Sequence, residues 1–397
     1  MKATIKTFQS GSGDCIFFLL QEGEKKYNLM IDCGEYSPTI RDFVEKTLGK
    51  QIDLLIVTHI DEDHILGVEQ MLKGTQDLNI GKIIFNSYER PQGHPETSLT
   101  KVQQERIASI QGELNCVFRD AIENQVSATQ AIEGLSKTIL KTPSLREKWE
   151  RGYTALDARK EIDLNEWGTI KILAPTMKEI KALDEKFRSV LFNELFIEDD
   201  NVDLNDCESL YEILIRYAEL QEKEPAESQP TASESLEERL KQAAERNPKE
   251  SGITPANKAS LAFVWEKNDK KVLFLGDAKP SLVAKGLLKL YPKGEFPIVF
   301  DAIKVAHHGS HYNTTDSLLN LVDSGHYFIT GGEEGVRPSE AALGRILLRE
   351  PKGNISKRTM HVNYQTSLTE QLSEDHALQE KYHFDVDFDQ NQYEFTL

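Results

Sequence analysis

The chain has 397 residues, which is long for one minimal domain but acceptable for one large α/β domain with insertions or for two domains. With 28% charged and 39% hydrophobic residues and a formal net charge of −18, its composition is typical of an acidic soluble globular protein. Such a chain does not resemble a general nucleic-acid coat, because phosphate contacts require Lys and Arg. A metal-dependent phosphodiesterase is compatible with this charge, since bound cations can invert the local field.

The N-terminal stretch MKATIKTFQSGSGDCIFFLL has a basic start and an apolar end. Asp14 and several small polar residues precede the apolar part, so the stretch is a poor signal peptide and predicts a strand, a turn and a second strand. No run approaches the roughly 18 apolar residues that a membrane-spanning helix needs. None of the four cysteines forms a C-x-x-C pair, and we expect reduced thiols at Cys15, Cys33, Cys116 and Cys207. We therefore expect a cytoplasmic protein without membrane contact.

The first ninety residues alternate strand and helix patterns. Strands are predicted at ATIKTFQ, CIFFLLQ, KYNLMIDCG, QIDLLIVTH and IGKIIFN, and QIDLLIVTH has the continuous apolar character of a strand buried on both faces. The stretch SPTIRDFVEKTLGK predicts a helix, with Pro in its first turn and Gly near its end. A second helix is predicted around GVEQMLKG. This alternation indicates an α/β core.

The rest of the chain suggests that this core is split by two helical insertions. Residues 97–160 are amphipathic and helical, and 177–255 are helical and acidic, with a mobile low-complexity linker at EKEPAESQPTASES and a lone surface helix at SLEERLKQAAER. Strand patterns occur at 161–176 and again after residue 256, and HFDVDFDQNQYEFTL predicts a C-terminal hairpin. The expected core is therefore 1–96, 161–176 and 256–397.

The stretch THIDEDHILG packs potential metal ligands directly after the buried strand QIDLLIV. A solvated helix N-terminus would favour acidic residues here, but it would not explain His59, His64 or the preceding strand. Alternate residues point the same way, so His59 and Asp61 can reach one ion while Asp63 and His64 reach a second.

Three other strands end in similar residues. LMIDCG ends on Asp32, VLFLGDAKP on Asp277, and IKVAHHGS on His307 and His308. Loops at strand ends are where α/β proteins place their active sites, so these residues predict one shared centre. Asp277 could bridge two ions roughly 3.5–4 Å apart, a spacing that suits hydrolytic chemistry.

The pattern H-x-D-x-D-H, preceded by I-D-x-G and followed by G-D, resembles that of the metallo-β-lactamase-fold hydrolases. The finer resemblance is to the ComEC-like branch, named for the hydrolase domain of the ComEC competence protein. It rests on GSGD, on NKASL at residues 257–261, on LFLGDAK and on KVAHHGS, and it covers about 1–95, 161–176 and 256–345. The membrane channel that accompanies this domain in ComEC has no counterpart in the sequence.

This resemblance implies an αββα sandwich with helical insertions, holding two divalent ions, Zn²⁺ or Mn²⁺. It implies metal ligands at His59, Asp61, Asp63, His64 and Asp277, together with either His307 or His308. Asp32 would orient the His/Asp loop. A metal-bridging hydroxide would be the nucleophile, and the late histidine that is not a ligand would be the proton donor. The candidate catalytic residues are Asp63, His307, His308 and Arg337.

Two departures from the family pattern matter. Many relatives have a further His after the first helix, and here the nearby candidate is His94, in an ordinary Pro/Gly loop. Relatives also often have Gly-His-Pro after a late Gly-Gly strand end, where GGEEGVRPSE here has Arg337. Arg suits an anionic oxygen better than a metal, which fits a substrate phosphate.

Two classes of function follow from these observations. The first is a dinuclear metallohydrolase, and the resemblance implies that it acts on a phosphoester, with a phosphodiester in DNA, RNA or a nucleotide as the preferred class. The same residues could also hydrolyse an ester, thioester or lactam. The second is a regulatory or partner-binding protein whose metal site is vestigial, with the insertions as the partner surface. A nearly complete ligand set argues against the second class.

Overall fold

The structure, a computed structural model, describes residues 1–89, 99–121, 134–197, 204–221, 234–246, 248–388 and 391–397. The strands, in chain order, are β1 Lys2–Thr7, β2 Cys15–Glu22, β3 Lys25–Cys33, β4 Gln51–Val57, β5 Asn79–Phe85, β6 Glu161–Asp163, β7 Thr169–Ala174, β8 Ala262–Lys267, β9 Lys270–Phe274, β10 Ile298–Phe300, β11 Ala302–Lys304, β12 Val322–Ser324, β13 His326–Ile329, β14 Arg358–Val362, β15 Phe384–Asp387 and β16 Gln392–Thr396. The helices are α1 Pro38–Asp42, α2 Glu62–Gly74, α3 Lys101–Ala121, α4 Leu135–Lys141, α5 Pro143–Arg146, α6 Met177–Leu195, α7 Leu204–Gln221, α8 Leu236–Glu245, α9 Pro255–Lys258, α10 Pro280–Leu290, α11 Asp316–Leu319, α12 Glu340–Leu347, α13 Ser367–Glu374 and α14 His376–Tyr382.

Two large mixed sheets organise these elements. The first has the order β16-β1-β2-β3-β4-β5, in which β1, β2 and β3 are antiparallel and β3, β4 and β5 are parallel. The second has the order β15-β14-β13-β11-β9-β8-β7-β6, and its strands from β9 to β15 run parallel. The predicted strand positions are thus confirmed, and β4 is buried along most of its length as its apolar run indicates.

The sheets form the middle of a four-layer αββα sandwich. Apolar side chains from both sheets meet between them, including Phe18 of β2 and Phe274 of β9, whose ring centroids are 5.7 Å apart. A second cluster packs helices on the outer face of the first sheet, and a third packs helices on the outer face of the second sheet. Each sheet therefore buries both faces, which confirms the predicted fold class.

Helices of both insertions belong to the layer outside the first sheet. Phe187 of α6 and Leu214 of α7 are buried in the same cluster as Met30 and Leu55 of that sheet. The predicted surface helix forms as α8, but it is not isolated, because Leu240 is fully buried against α12. The stretch predicted as a mobile linker lies mostly at 222–233, outside the described residues. The boundaries assigned to the insertions stay predictions.

The predicted C-terminal hairpin is wrong. The strands β15 and β16 form, but β15 pairs in parallel with β14 in the second sheet, while β16 pairs antiparallel with β1 in the first. Both sheets offer an open edge here, and an alternating pattern does not determine which edge a strand will join.

Two observations bear on the cellular compartment expected from the sequence. None of the helices in the described ranges has an apolar stretch long enough to cross a membrane. The buried Cys15, Cys33 and Cys207 form no disulfide within the described part of the chain.

Candidate metal centre

The candidate residues converge at one edge of the sandwich, where parallel strands of both sheets have their C-terminal ends. Asp32 lies at the end of β3, and His59 follows β4. In the second sheet, Asp277 follows β9 and His307 follows β11. The strand topology therefore brings together residues that are nearly 280 positions apart in the sequence.

Asp277 lies at the middle of this group. Its carboxylate is buried, and four imidazole nitrogens surround the Oδ2 atom within 4.0 Å. The distances are 3.4 Å to His64 Nε2, 3.6 Å to His307 Nε2, 3.8 Å to His59 Nε2 and 4.0 Å to His308 Nε2. Both late histidines are therefore at the centre, although the family pattern requires one.

The H-x-D-x-D-H loop arranges its candidate ligands in two groups. His59 Nε2 is 3.3 Å from Asp61 Oδ2, and His308 Nε2 is 3.1 Å from Asp63 Oδ2. Asp61 is the residue before α2, so the last two ligands of the loop lie in the first turn of this helix. Ligand atoms of His59, His64 and Asp277 lie within 4.8 Å of one another, as do those of Asp63, His64 and His308. His64 therefore belongs to both groups, whereas the sequence places it at the second ion, and the division of the loop between two ions stays a prediction.

Asp32 orients two parts of the loop from behind. Its Oδ1 accepts a hydrogen bond from the Thr58 backbone N–H at 2.7 Å, and its Oδ2 accepts from Thr58 Oγ1 at 2.6 Å. Asp32 Oδ2 is also 2.8 Å from His64 Nδ1. A carboxylate on Nδ1 directs the Nε2 lone pair of His64 towards Asp277, which is how proteins orient histidine ligands.

Hydrogen bonds also orient the other histidine rings. His308 Nδ1 is 2.7 Å from the carbonyl oxygen of Thr330, so this nitrogen carries the proton and Nε2 is free to coordinate. His307 Nδ1 is 3.1 Å from Asn313 Oδ1. The Asn313 amide donates to the carbonyl of Asp277 at 2.8 Å, which fixes the side-chain oxygen towards His307.

The backbone of the His-His pair is strained. His307 and His308 both adopt left-handed conformations, with φ of 49° and 54°. Asp32 has φ of 55°. Non-glycine residues rarely occupy this region, and such strain is concentrated at functional sites, where the surrounding structure maintains it.

One buried ion pair beside the centre was not predicted from the sequence, which assigned GSGD to the turn between two strands. Asp14 and Lys304 are almost fully buried and form a short ion pair beneath the centre. Asp14 Oδ1 also lies 3.3 Å from His308 Nδ1 and accepts a hydrogen bond from Thr330 Oγ1. The glycine before Asp14 explains part of the motif, because a Cβ on Gly13 would lie 1.8 Å from the carbonyl oxygen of Asp63.

The donor set fits divalent cations. His59 Nε2, His64 Nε2 and Asp277 Oδ1 are buried and make no hydrogen bond of acceptable geometry to any described residue. Such buried polar atoms are costly unless a ligand satisfies them. Imidazole nitrogen and carboxylate oxygen suit both Zn²⁺ and Mn²⁺, so these residues fit either ion.

The pKa shifts of two histidines also indicate that the centre favours positive charge. Burial opposes a charge on His308, but its hydrogen bond with Asp14 and the nearby Asp63 raise the pKa of His308 to about 9. Burial likewise opposes a charge on His64, yet Asp277 and Asp63 raise the pKa of His64 well above its usual value. The carboxylates around these two histidines therefore favour positive charge at the centre.

Arg337 lies in the half-buried loop after β13, close to the His-His turn. The next two residues pack on that turn, and the Ser339 backbone N–H donates to the Gly309 carbonyl at 3.0 Å. Burial and the positive charge of Arg337 lower the pKa of His307 to about 3. A neutral His307 suits a ligand or a base better than the predicted proton donor. The other candidate of the sequence, His94, lies outside the described residues.

Comparisons with known proteins agree with this fold. Residues 12–82, which include Asp32 and the H-x-D-x-D-H loop, match the family described as the metallo-beta-lactamase superfamily. No curated protein matches the sequence significantly. The match and the αββα layers together confirm the metallo-β-lactamase fold. The ComEC-like branch stays a prediction.

Three solved structures illustrate how distant the similar chains are. The metallo-beta-lactamase fold protein YhfI from Bacillus subtilis is 8% identical, with 100% of both chains covered and a TM-score of 0.35. A variant of the CmlA beta-hydroxylase is 8% identical, with 99% of this chain and 54% of that chain covered and a TM-score of 0.36. A diphosphatase from the PhnP family is 10% identical, with 100% of this chain and 98% of that chain covered and a TM-score of 0.35.

Proposed function

We propose that the chain is a dinuclear metal-dependent hydrolase of phosphoesters, with phosphodiesters in DNA, RNA or nucleotides as the preferred substrate class. The observation that carries the proposal is the buried Asp277 carboxylate, which faces four imidazole nitrogens within 4.0 Å. One aspartate facing two groups of ligands is the arrangement expected of a residue shared by two ions.

The residues divide into two sets around that carboxylate. His59 and Asp61 would hold one ion, while Asp63, His64 and His308 would hold the other. Bound there, two divalent ions would act as Lewis acids and lower the pKa of a water molecule.

The sequence left His307 open as a metal ligand or as a proton donor. Its neutral Nε2 faces Asp277 at 3.6 Å, so we propose that it completes the set around His59 or, in place of the predicted donor role, accepts a proton from an attacking water. Asn313 holds the ring in either role, because its Oδ1 lies 3.1 Å from His307 Nδ1.

Charge balance supports two ions of charge +2. Five aspartates converge here, namely Asp14, Asp32, Asp61, Asp63 and Asp277, and one buried lysine, Lys304, pairs with Asp14. Subtracting the charge of Lys304 leaves four negative charges, which equal the charge of two divalent cations.

The phosphoester class rests on Arg337. A guanidinium beside the centre can bind a non-bridging phosphate oxygen, and this contact strengthens as charge builds in the transition state. A neutral ester, thioester or lactam offers no such charge in its ground state. The arginine therefore favours an anionic substrate over the acyl alternatives.

One experiment tests the proposal. The protein is loaded with Zn²⁺ or with Mn²⁺, its metal content is measured, and initial rates are compared on bis(p-nitrophenyl) phosphate, p-nitrophenyl acetate and a chromogenic β-lactam. We expect two ions per chain and hydrolysis mainly of the phosphodiester. Faster turnover of the ester or lactam would replace the phosphoester assignment with an acyl one. Only trace metal after loading would indicate a vestigial site.

A further inference from the structure

Helix α7 of the second insertion carries four ionic side chains along one face, three or four residues apart. Glu208 and Glu212 are fully buried, Arg216 is 6% exposed and Glu219 is half-buried. Burying charged side chains costs desolvation free energy that apolar side chains would not cost. We therefore expect each of these groups to have a specific partner. The two residues at the start of this face contact other parts of the insertions, while the last two contact the candidate metal loop.

The first of these contacts joins Arg216 to Glu62. The two side chains form a close ion pair, and both are nearly buried. Glu62 lies between Asp61 and Asp63 in the H-x-D-x-D-H loop, and its side chain reaches Arg216 of α7. The ion pair therefore fixes the backbone of the loop to α7 at the position between two ligands.

The second contact joins Glu219 to the ligand Asp61 itself. The Glu219 side chain lies within hydrogen-bonding reach of the side chains of Asp61 and Thr254. Its Oε1 accepts a hydrogen bond from the backbone N–H of Ala256 at 3.1 Å. Glu219 thus connects α7, the turn before α9 and the metal loop, and it contacts Asp61, whose Oδ2 faces His59 at 3.3 Å.

The insertions also form a wall beside His59. A small cavity next to its ring is lined by Tyr153, Ile180, Leu183 and Tyr211, all from the inserted segments. Movement of α7 would therefore affect the side of the centre that holds His59 and Asp61. Asp63 lies instead against the turn between β1 and β2, where the Asp14 backbone N–H donates to its carbonyl oxygen at 3.0 Å.

We infer that Arg216 and Glu219 are positioning residues, through which the inserted helix α7 sets the affinity of the ion held by His59 and Asp61. This inference rests on the proposed dinuclear centre. It gives the second insertion a role in the chemistry. Residues that orient ligands in this way typically change metal affinity by roughly 10–100-fold when they are removed.

A double-mutant cycle on metal affinity tests the inference. Metal-free protein is titrated with Zn²⁺ in competition with a chromophoric chelator, which yields two dissociation constants. Glu219→Ala should raise one of these dissociation constants by roughly 10–100-fold and leave the other unchanged. The same ion should bind more weakly in Asp61→Asn, and Glu219→Ala should have no further effect in that background, because Glu219 acts through Asp61.

Three further variants separate positioning from general stability. Glu219→Gln retains an acceptor for the Ala256 N–H and a donor to Asp61, and we expect affinity within about threefold of wild type. Glu212→Gln is the matched control, since Glu212 is buried on the same helix face but binds the N–H groups of Leu135 and Ser136 at 2.7 and 2.8 Å. It should leave both dissociation constants unchanged.

The remaining variant addresses Arg216. The double variant Glu62→Gln with Arg216→Gln leaves no unpaired buried charge and therefore tests the anchor without the cost of an isolated ion. It should raise the dissociation constant of the same ion by about tenfold. This double variant and Glu219→Gln also keep the test valid if Glu219→Ala does not fold.

The outcomes that overturn the inference differ from those that overturn the metal centre. Wild-type protein that binds no Zn²⁺ would refute the centre and this inference with it. Wild-type protein that binds two ions, with folded Glu219→Ala and Glu62→Gln/Arg216→Gln variants that bind them equally well, would refute only the positioning role. Additive effects of Glu219→Ala and Asp61→Asn would also refute it.

Discussion

The buried ion pair beneath the centre yields the prediction with the best-defined magnitude. Lys304 is 2% exposed and Asp14 is 1% exposed, and Lys304 lies among several other carboxylates. Lys304→Met removes the ammonium group and leaves the Asp14 carboxylate buried without it. Breaking a buried pair from one side costs about 3–5 kcal/mol, so we expect the free energy of unfolding to fall by this amount.

The assay is urea unfolding at pH 7 with EDTA present, so that metal affinity does not contribute to stability. Asp14→Asn alone leaves Lys304 buried without its partner and should also destabilise. The double variant should lose clearly less than the sum of the single losses, because neither charge is then left unpaired. Lys2→Met is the matched control, since its pair with Glu394 is 60% and 52% exposed and should be worth less than about 1 kcal/mol. A loss below about 1 kcal/mol for Lys304→Met, or additive single losses, would refute this reasoning.

Three further predictions concern turnover and stability. Asp277→Asn should abolish turnover with the fold intact, because the amide keeps the shape but not the charge that a shared ligand needs; wild-type rates would show that Asp277 is not shared between two ions. Arg337→Ala should lower phosphodiester turnover by on the order of 10²-fold at unchanged metal content and affect a neutral ester far less; equal phosphodiester rates would make Arg337 a surface residue. Burial raises the pKa of Glu212 to about 7, so folding favours its protonated form and the free energy of unfolding should fall by about 3 kcal/mol between pH 5 and 8. Glu212→Gln should remove this part of the pH dependence, and identical pH slopes for the two proteins would contradict the assignment.

Most of the core strands and the ends that carry ligands could be predicted from the sequence, because both signals are local. The apolar run QIDLLIV and the following His59 are adjacent in the chain, and the same is true of VLFLG and Asp277. Once parallel strands are assumed, their C-terminal ends must share an edge, and the centre follows. The C-terminal hairpin was wrong because a local turn signal does not determine the pairing partner of a strand.

The supporting residues could not be predicted, because their partners are far away in sequence. Asp14 and Lys304 are 290 positions apart, and a buried lysine in an apolar strand has no local signature that identifies its counter-charge. Similarly, the acidic pattern of α7 is what a solvated helix face would also show. Only the packing of α7 onto the loop distinguishes the Arg216–Glu62 pair from such a face.

The acidity of the chain and the proposed anionic substrate can be reconciled at the centre itself. A net charge of −18 repels a phosphodiester at long range, but salt screens exposed charges beyond about 10 Å. Within the centre, Lys304 and two divalent ions would balance the aspartates, and under the proposed function Arg337 would bind a phosphate oxygen beside them. A neutral acyl substrate would make no such contact. Replacing Arg337 would therefore separate the two substrate classes, whereas Asp277 and the histidines would serve both.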